Sequence, residues 1–135
     1  MNIYQSKQTK IPGRRYVDIE RKARQLHSDI ARQTKRSPYI RSPFFDKDKI
    51  FVDTFWSHLH QKPRADRKRR LKYYWAAIDL LQNTRCKPAA KANPNGKNEI
   101  VYRFAGSTKE GELFYVQVKQ DKAGNKYFMS AFAPE

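Results

Sequence analysis

Cysteine is all but missing from this 135-residue chain. Cys86 stands alone, which excludes an internal disulfide and any zinc site built from several thiolates. Long apolar runs are missing as well. No stretch approaches the ~18 consecutive apolar residues of a membrane helix, and Met1 is followed by polar residues instead of an apolar leader. A cytoplasmic location without a membrane partner is therefore expected. Acidic residues are scarce, 13 Asp+Glu against 29 Lys+Arg, for a net charge of +16. There is no Gly-rich phosphate loop, no Cys/His/Asp nucleophile arrangement and no clustered carboxylate pair for magnesium, so any chemistry is expected to run without metal or cofactor.

Aromatic residues are plentiful: 8 Tyr, 8 Phe and 2 Trp. Each encloses about 150–250 Å² when buried, so one small domain can build an independent core, and disorder of the whole chain is excluded. The charge is segregated. Residues 1–85 hold 21 Lys+Arg and 8 Asp+Glu, whereas residues 99–135 hold 5 of each. Solubility alone does not demand such segregation, but a polyanion rewards it, and nucleic acid is the leading partner.

Pro12-Gly13 breaks the first fifteen residues into an arm, and a charged, thinly apolar helix from Tyr16 to about Lys35 reads as peripheral. Ser37-Pro38 and Ser42-Pro43 bracket a short extended link. Phe51, Val52, Phe55, Trp56 and Leu59 then mark the buried face of a second helix, capped by Asp46 or Asp48. Pro63 ends it, and a third helix runs from about Ala65 to Thr84 on Leu71, Tyr74, Trp75, Ile78 and Leu81. Residues 86–98, with two prolines and Asn95-Gly96, read as loop.

Beyond that point the apolar period changes from 3.6 to 2, giving strands at about 99–106, 112–120 and 126–132. Gly111 and Gly124 each close a three-residue turn. The expected fold is α+β, with about three N-terminal helices packed on one face of a three- to four-stranded antiparallel meander.

Two three-residue turns fix the register: Thr108 faces Glu112 and Asp121 faces Asn125. Ile100, Tyr102, Phe104, Phe114, Val116, Val118, Phe128 and Phe132 then share the helix-facing side with Gln120 and Ser130. Val101, Arg103, Ala105, Tyr115, Gln117, Lys119, Tyr127, Met129 and Ala131 share the other side. Such a cationic and aromatic surface suits RNA, with rings stacking on bases and Arg or Lys meeting phosphate. It is equally the ordinary composition of a half-solvated sheet.

The run from Lys62 to Lys72 adds Lys62, Arg64, Arg67, Lys68, Arg70 and Lys72 as phosphate-binding candidates. In phase with Leu71 and the residues beyond it, Arg64 and Arg67 are expected to point toward the sheet. His58 and His60 lie about 200° apart on a helix and cannot share one ion, though either can act singly as acid or base.

The block PFFDKDKIFVDTFWSHLHQKPRADRKRRLKYYWAAIDLLQNTR and the later EIVYRFAGSTKEGELFYVQVKQDKAGNKYFMSAFAPE, covering about residues 43–134, resemble the phage- and mobile-element-borne branch of the barnase/EndoU/colicin/RelE-like ribonucleases. The resemblance lies in the HLHQK-to-RRLKY helical pair, the RF-x-G-x-T-x-x-G hairpin, VQVK and the closing K-Y-F-x-S. It implies a nuclease domain over 43–135, behind a basic arm and helix over 1–42, that cleaves RNA as a toxin or mobile-element effector. By position it implies roles for Arg103, Gln117, Lys119 and Ser130; in our own reading of the residues Arg67 assists Arg103 from the helix, and Tyr115, Tyr127 or Lys119 handles protons or stacks bases. A bulge in the last hairpin would be needed to bring Ser130 onto the open side. No Glu base stands on that side, which sets the chain apart from a Glu/His mechanism. An acidic immunity protein or antitoxin would be the matching partner. The rival reading is a non-catalytic nucleic-acid-binding module of a mobile element.

Overall fold

The computed structural model describes residues 2–96 and 98–134; Lys97, within the expected loop, lies outside them. The chain runs β1 (Tyr4–Gln5), α1 (Tyr16–Arg32), β2 (Tyr39–Ser42), β3 (Asp48–Phe51), α2 (Asp53–His60), α3 (Arg64–Leu71), α4 (Tyr74–Asn83), β4 (Ala89–Ala92), β5 (Ile100–Ser107), β6 (Leu113–Gln120) and β7 (Lys126–Phe132). The architecture is α+β, but the sheet is not the small antiparallel meander the sequence led us to expect. Among the described residues it has seven strands, ordered β1-β5-β6-β7-β3-β2, with β4 also on β5, and it mixes parallel with antiparallel pairs.

The meander itself forms with the expected turns. Thr108 N–H donates to Glu112 O and Asp121 N–H to Asn125 O, at 2.8 and 2.9 Å. Gly111 and Gly124 adopt φ of 90° and 92°, where a Cβ is costly. Additional strands arise because β5 and β7 would otherwise be open edges whose backbone groups need partners. β1 runs parallel to the end of β5, β4 pairs antiparallel with its beginning, and β3 runs parallel to β7 at Ile50↔Lys126 and Phe51↔Tyr127. The short β4 fits between Pro88 and Pro94 because an edge strand can leave one row of donors unpaired.

Two helix expectations are corrected. Phe51 belongs to β3, and Asp46, at φ 55°, lies in the turn between β2 and β3, so neither Asp46 nor Asp48 caps α2, which starts at Asp53. The long third helix is two helices. At the break, the Lys72 carbonyl accepts from Ile11 N–H at 2.8 Å, and Tyr73 sits at φ −90°, ψ 2°, outside the helical basin.

One apolar cluster holds the molecule together. Ile11, Ile19, Ala23, Ile30 and Ile40 from residues 1–42 join Phe55, Leu71, Tyr74, Leu80, Phe104, Phe114 and Phe128. The arm and first helix are thus part of the same core as the rest. At its centre Phe55 stacks on Phe128 with ring centroids 4.7 Å apart and planes 20° from parallel. Asp79 of α4 anchors the N-terminal strand, accepting from Ser6 Oγ, Tyr4 Oη and Lys7 N–H at 2.7, 3.1 and 3.1 Å. Among the described residues no helix is long and apolar enough to cross a membrane.

Phe55 is 1% exposed, so Phe55→Ala opens a cavity between α2 and β7. Urea unfolding of the variant should show a loss of about 3–5 kcal/mol.

Candidate nucleic-acid interface

Away from the helices, the alternation of β5, β6 and β7 presents a second face. Arg103 pairs with Gln117, Ala105 with Tyr115 and Lys119 with Tyr127, as the turns dictate. Arg103 is exposed, and no salt bridge engages it among the described residues. Its guanidinium lies 5.5 Å from the centroids of both Tyr115 and Phe132. Ring faces attract the cation without using its N–H groups, which stay available to an anionic acceptor.

β7 breaks the alternation. The register shifts between Gln117 and Val118, so Val118 pairs with Phe128 while Gln117 pairs with Ser130, leaving Met129 as the extra residue of a bulge. Beyond it, Ala131 is fully buried opposite Val116, and Phe132 lies opposite Tyr115. The expected sides of Ala131 and Phe132 are therefore exchanged, because one added residue flips everything after it. The same shift brings Ser130 beside Gln117.

Ser130 is 3% exposed. What covers it is Arg70, reaching from α3: its Nη1 donates to Ser130 Oγ at 2.6 Å and its Nε to Asp66 Oδ2 at 3.1 Å. The Arg70 guanidinium also lies 5.3 Å from the Phe132 centroid. Phe132 thus carries a guanidinium from each of two elements, and Arg103, Gln117, Ser130 and Arg70 form one polar row. His58 of α2 and Lys62, just after that helix, line a tight crevice with Arg70, Met129 and Ser130. Burial, followed by the cations Lys62, Arg70 and Lys119, pushes the His58 imidazole below its ordinary value. A neutral imidazole near pH 7 is a proton acceptor.

Other expected residues are placed differently. Tyr127 Oη donates to Asp121 at 3.2 Å; burial and that carboxylate raise its pKa, which suits the ring to stacking more than to proton transfer. Lys119 Nζ lies 4.0 Å from Glu99. Arg67 does not reach the sheet: its Nε and Nη2 donate to the carbonyls of Lys62 and His60 at 2.7 and 2.9 Å, closing the end of α2. Arg64 lies over the Tyr16 ring at 5.2 Å. Both departures follow from the break at Tyr73, since the phase of α4 does not carry back into α3. His60 is exposed, 3.5 Å from Arg24. Lys68 and Lys72 are half-buried on α3 and just after it.

Five residues contribute here that the sequence pattern did not single out for this face. Phe132 was assigned to the core, though an aromatic near the end of a bulged strand is ambiguous in side. Ala89 and Ala90 border a cavity of about 220 Å³ with Lys91, Val101, Arg103 and Gln117. Tyr39 and Phe51 lie on β2 and β3, and the alternation of Tyr39-Ile40-Arg41 with Lys49-Ile50-Phe51 was their signal. No protein-family profile, curated protein or solved structure matches this chain.

Two outcomes follow from these placements. Arg70→Ala leaves the Ser130 hydroxyl buried without its donor, and chemical denaturation should record a loss of about 1–3 kcal/mol. His27 behaves like His58: burial outweighs the nearby Asp53 and lowers its pKa from the ordinary 6.5. The unfolded chain then binds protons that the folded protein refuses. Stability from both histidines is complete above pH 6.5 and falls as pH drops below it. Melting temperatures should decline between about pH 7 and pH 5, and His58→Gln should reduce that slope.

Proposed function

We propose that the protein is a ribonuclease working on the open face of its sheet, by attack of the ribose 2′-oxygen on the adjacent phosphorus. The observation that carries this reading is the row Arg103–Gln117–Ser130–Arg70, with two guanidiniums flanking Phe132 and a neutral imidazole at its end. In the step, the 2′-oxygen gives up its proton and bonds phosphorus. The P–O5′ bond breaks, and the leaving 5′-oxygen takes a proton, giving a 2′,3′-cyclic phosphate and a 5′-hydroxyl. His58 accepts the first proton and Lys119 supplies the second. Arg103 and Arg70 meet the charge on the phosphorane oxygens, where fixed donors lower the barrier most. Gln117 positions the ribose or base by hydrogen bonding. Supporting the choice of RNA are the chain's charge of +16 and the resemblance of its motifs to metal-independent ribonucleases.

An acidic immunity protein or antitoxin that covers these arginines would fit the surface as a neutralising partner. Binding without cleavage is the second reading. It is favoured by the near-complete burial of Ser130, which leaves that hydroxyl poorly placed to meet substrate unless Arg70 moves.

Incubation with single-stranded RNA in EDTA separates the readings. Cleavage should persist in EDTA and end in a 2′,3′-cyclic phosphate, and Arg103→Ala should lower its rate about 10²–10³-fold. A well-folded preparation that binds RNA but leaves it intact overturns the ribonuclease reading.

A further inference from the structure

Two residues away along β5 and β6, and three along the bulged β7, a different row crosses the same face. The register pairs Tyr39 with Phe51, Phe51 with Tyr127, Tyr127 with Lys119, Lys119 with Val101 and Val101 with Lys91. Cross-strand partners share a side, so these residues line up over β2, β3, β7, β6, β5 and β4. With strands about 4.8 Å apart, the row extends for about 24 Å. None of the six is buried.

Its outer end is aromatic and cationic together. The Tyr39 and Phe51 rings are 6.3 Å apart, and Phe51 and Tyr127 are 5.8 Å apart. Lys49 Nζ lies 4.5 Å from the Tyr39 centroid, and the Arg41 guanidinium 5.4 Å from it. The same end opens into a groove of about 750 Å³ lined by Lys35, Arg36, Tyr39, Lys49 and Phe51, with no acidic residue in its wall. Among the described residues no salt bridge engages Lys35, Arg36, Arg41 or Lys49.

We infer that this row is a track for single-stranded RNA, with bases stacking on Tyr39, Phe51 and Tyr127 while Lys35, Arg36, Lys49 and Lys119 follow the phosphates. The inference deepens the proposed function by naming its substrate as an unpaired strand, laid parallel to the Arg103–Gln117–Ser130 row about 7 Å away. Paired bases hide their faces inside the helix, whereas a ladder of partly exposed rings suits bases that are free to stack. The ring spacing and the acid-free groove argue for a polyanion with planar groups, a description that single-stranded RNA meets at every residue.

The test uses the full chain and a fluorescent oligonucleotide of about 8 nucleotides, carrying 2′-O-methyl riboses so that it cannot be cleaved by 2′-oxygen attack. Fluorescence anisotropy is read for the single strand and for the same sequence in a duplex. Tyr39→Leu and Phe51→Leu keep apolar bulk on β2 and β3 but remove the ring faces; circular dichroism confirms that each is folded. Each should weaken single-strand binding about 5- to 150-fold while changing duplex binding little. Lys49→Gln should flatten the dependence of log affinity on log salt by about one unit. Preference for the duplex, or leucine variants that bind the single strand like the parent, overturns the track. Because the probe resists cleavage, loss of binding in the leucine variants supports the track even if unmodified RNA is never cut. Retained binding and retained cleavage in those variants remove the track and leave the ribonuclease reading standing.

Discussion

Everything on the open face depends on how side chains alternate along an extended strand, and on the single place where that alternation fails. Gly111 and Gly124, at positive φ, lock two turns and with them the pairing of Arg103 with Gln117 and of Lys119 with Tyr127. Met129 then adds one residue to β7. Without it Ser130 would face the core and Phe132 would lie among the helices. With it, the hydroxyl meets Gln117 and Arg70, and the ring receives two cations. A one-residue insertion thereby sorts the end of β7 into a seal for the core, Ala131, and a platform for charge, Phe132.

The electrostatics follow from that sorting. The buried cation is matched: Lys126, 7% exposed, holds Asp48 at 2.8 Å and lies over Phe45, while Arg70, at the rim of the open face, holds Asp66. On the open side Arg103 is met by the rings of Tyr115 and Phe132, and Lys49 and Arg41 by Tyr39, while Lys119 faces Glu99. An aromatic face steadies a charge without neutralising it, so the surface keeps its field while its side chains lose some of their freedom. Such pre-ordering lowers the entropy these side chains would lose on meeting an anionic ligand.

Local chemistry made some of this legible in the sequence and hid the rest. The three meander strands, both turns and the Arg103–Gln117 and Lys119–Tyr127 pairs depend on period-two patterning and glycine, which neighbouring residues determine. The sheet's full extent does not. β1 and β4 are short and carry no apolar alternation, and they are strands only because β5 offers free backbone groups. β2 and β3 were obscured by Phe51-Val52 running directly into a helix, so one apolar series served two periods. The split between α3 and α4 depends on a hydrogen bond from Ile11, more than sixty positions earlier, and with it went the expected direction of Arg64 and Arg67. Arg70 was visible as a basic residue, but not as the one that reaches Ser130.

The parallel pairings also set an order of events. β1 finds its partner at Gly106 and Ser107, and β3 finds its own at Lys126 and Tyr127. During synthesis the first half of the chain, which holds most of the basic residues, emerges before β5 and β7 exist, so β1 has no partner and β3 has only β2 until those strands are made. Until then the side of β3 that receives β7 is an open edge, and closure of the sheet is the step that removes it.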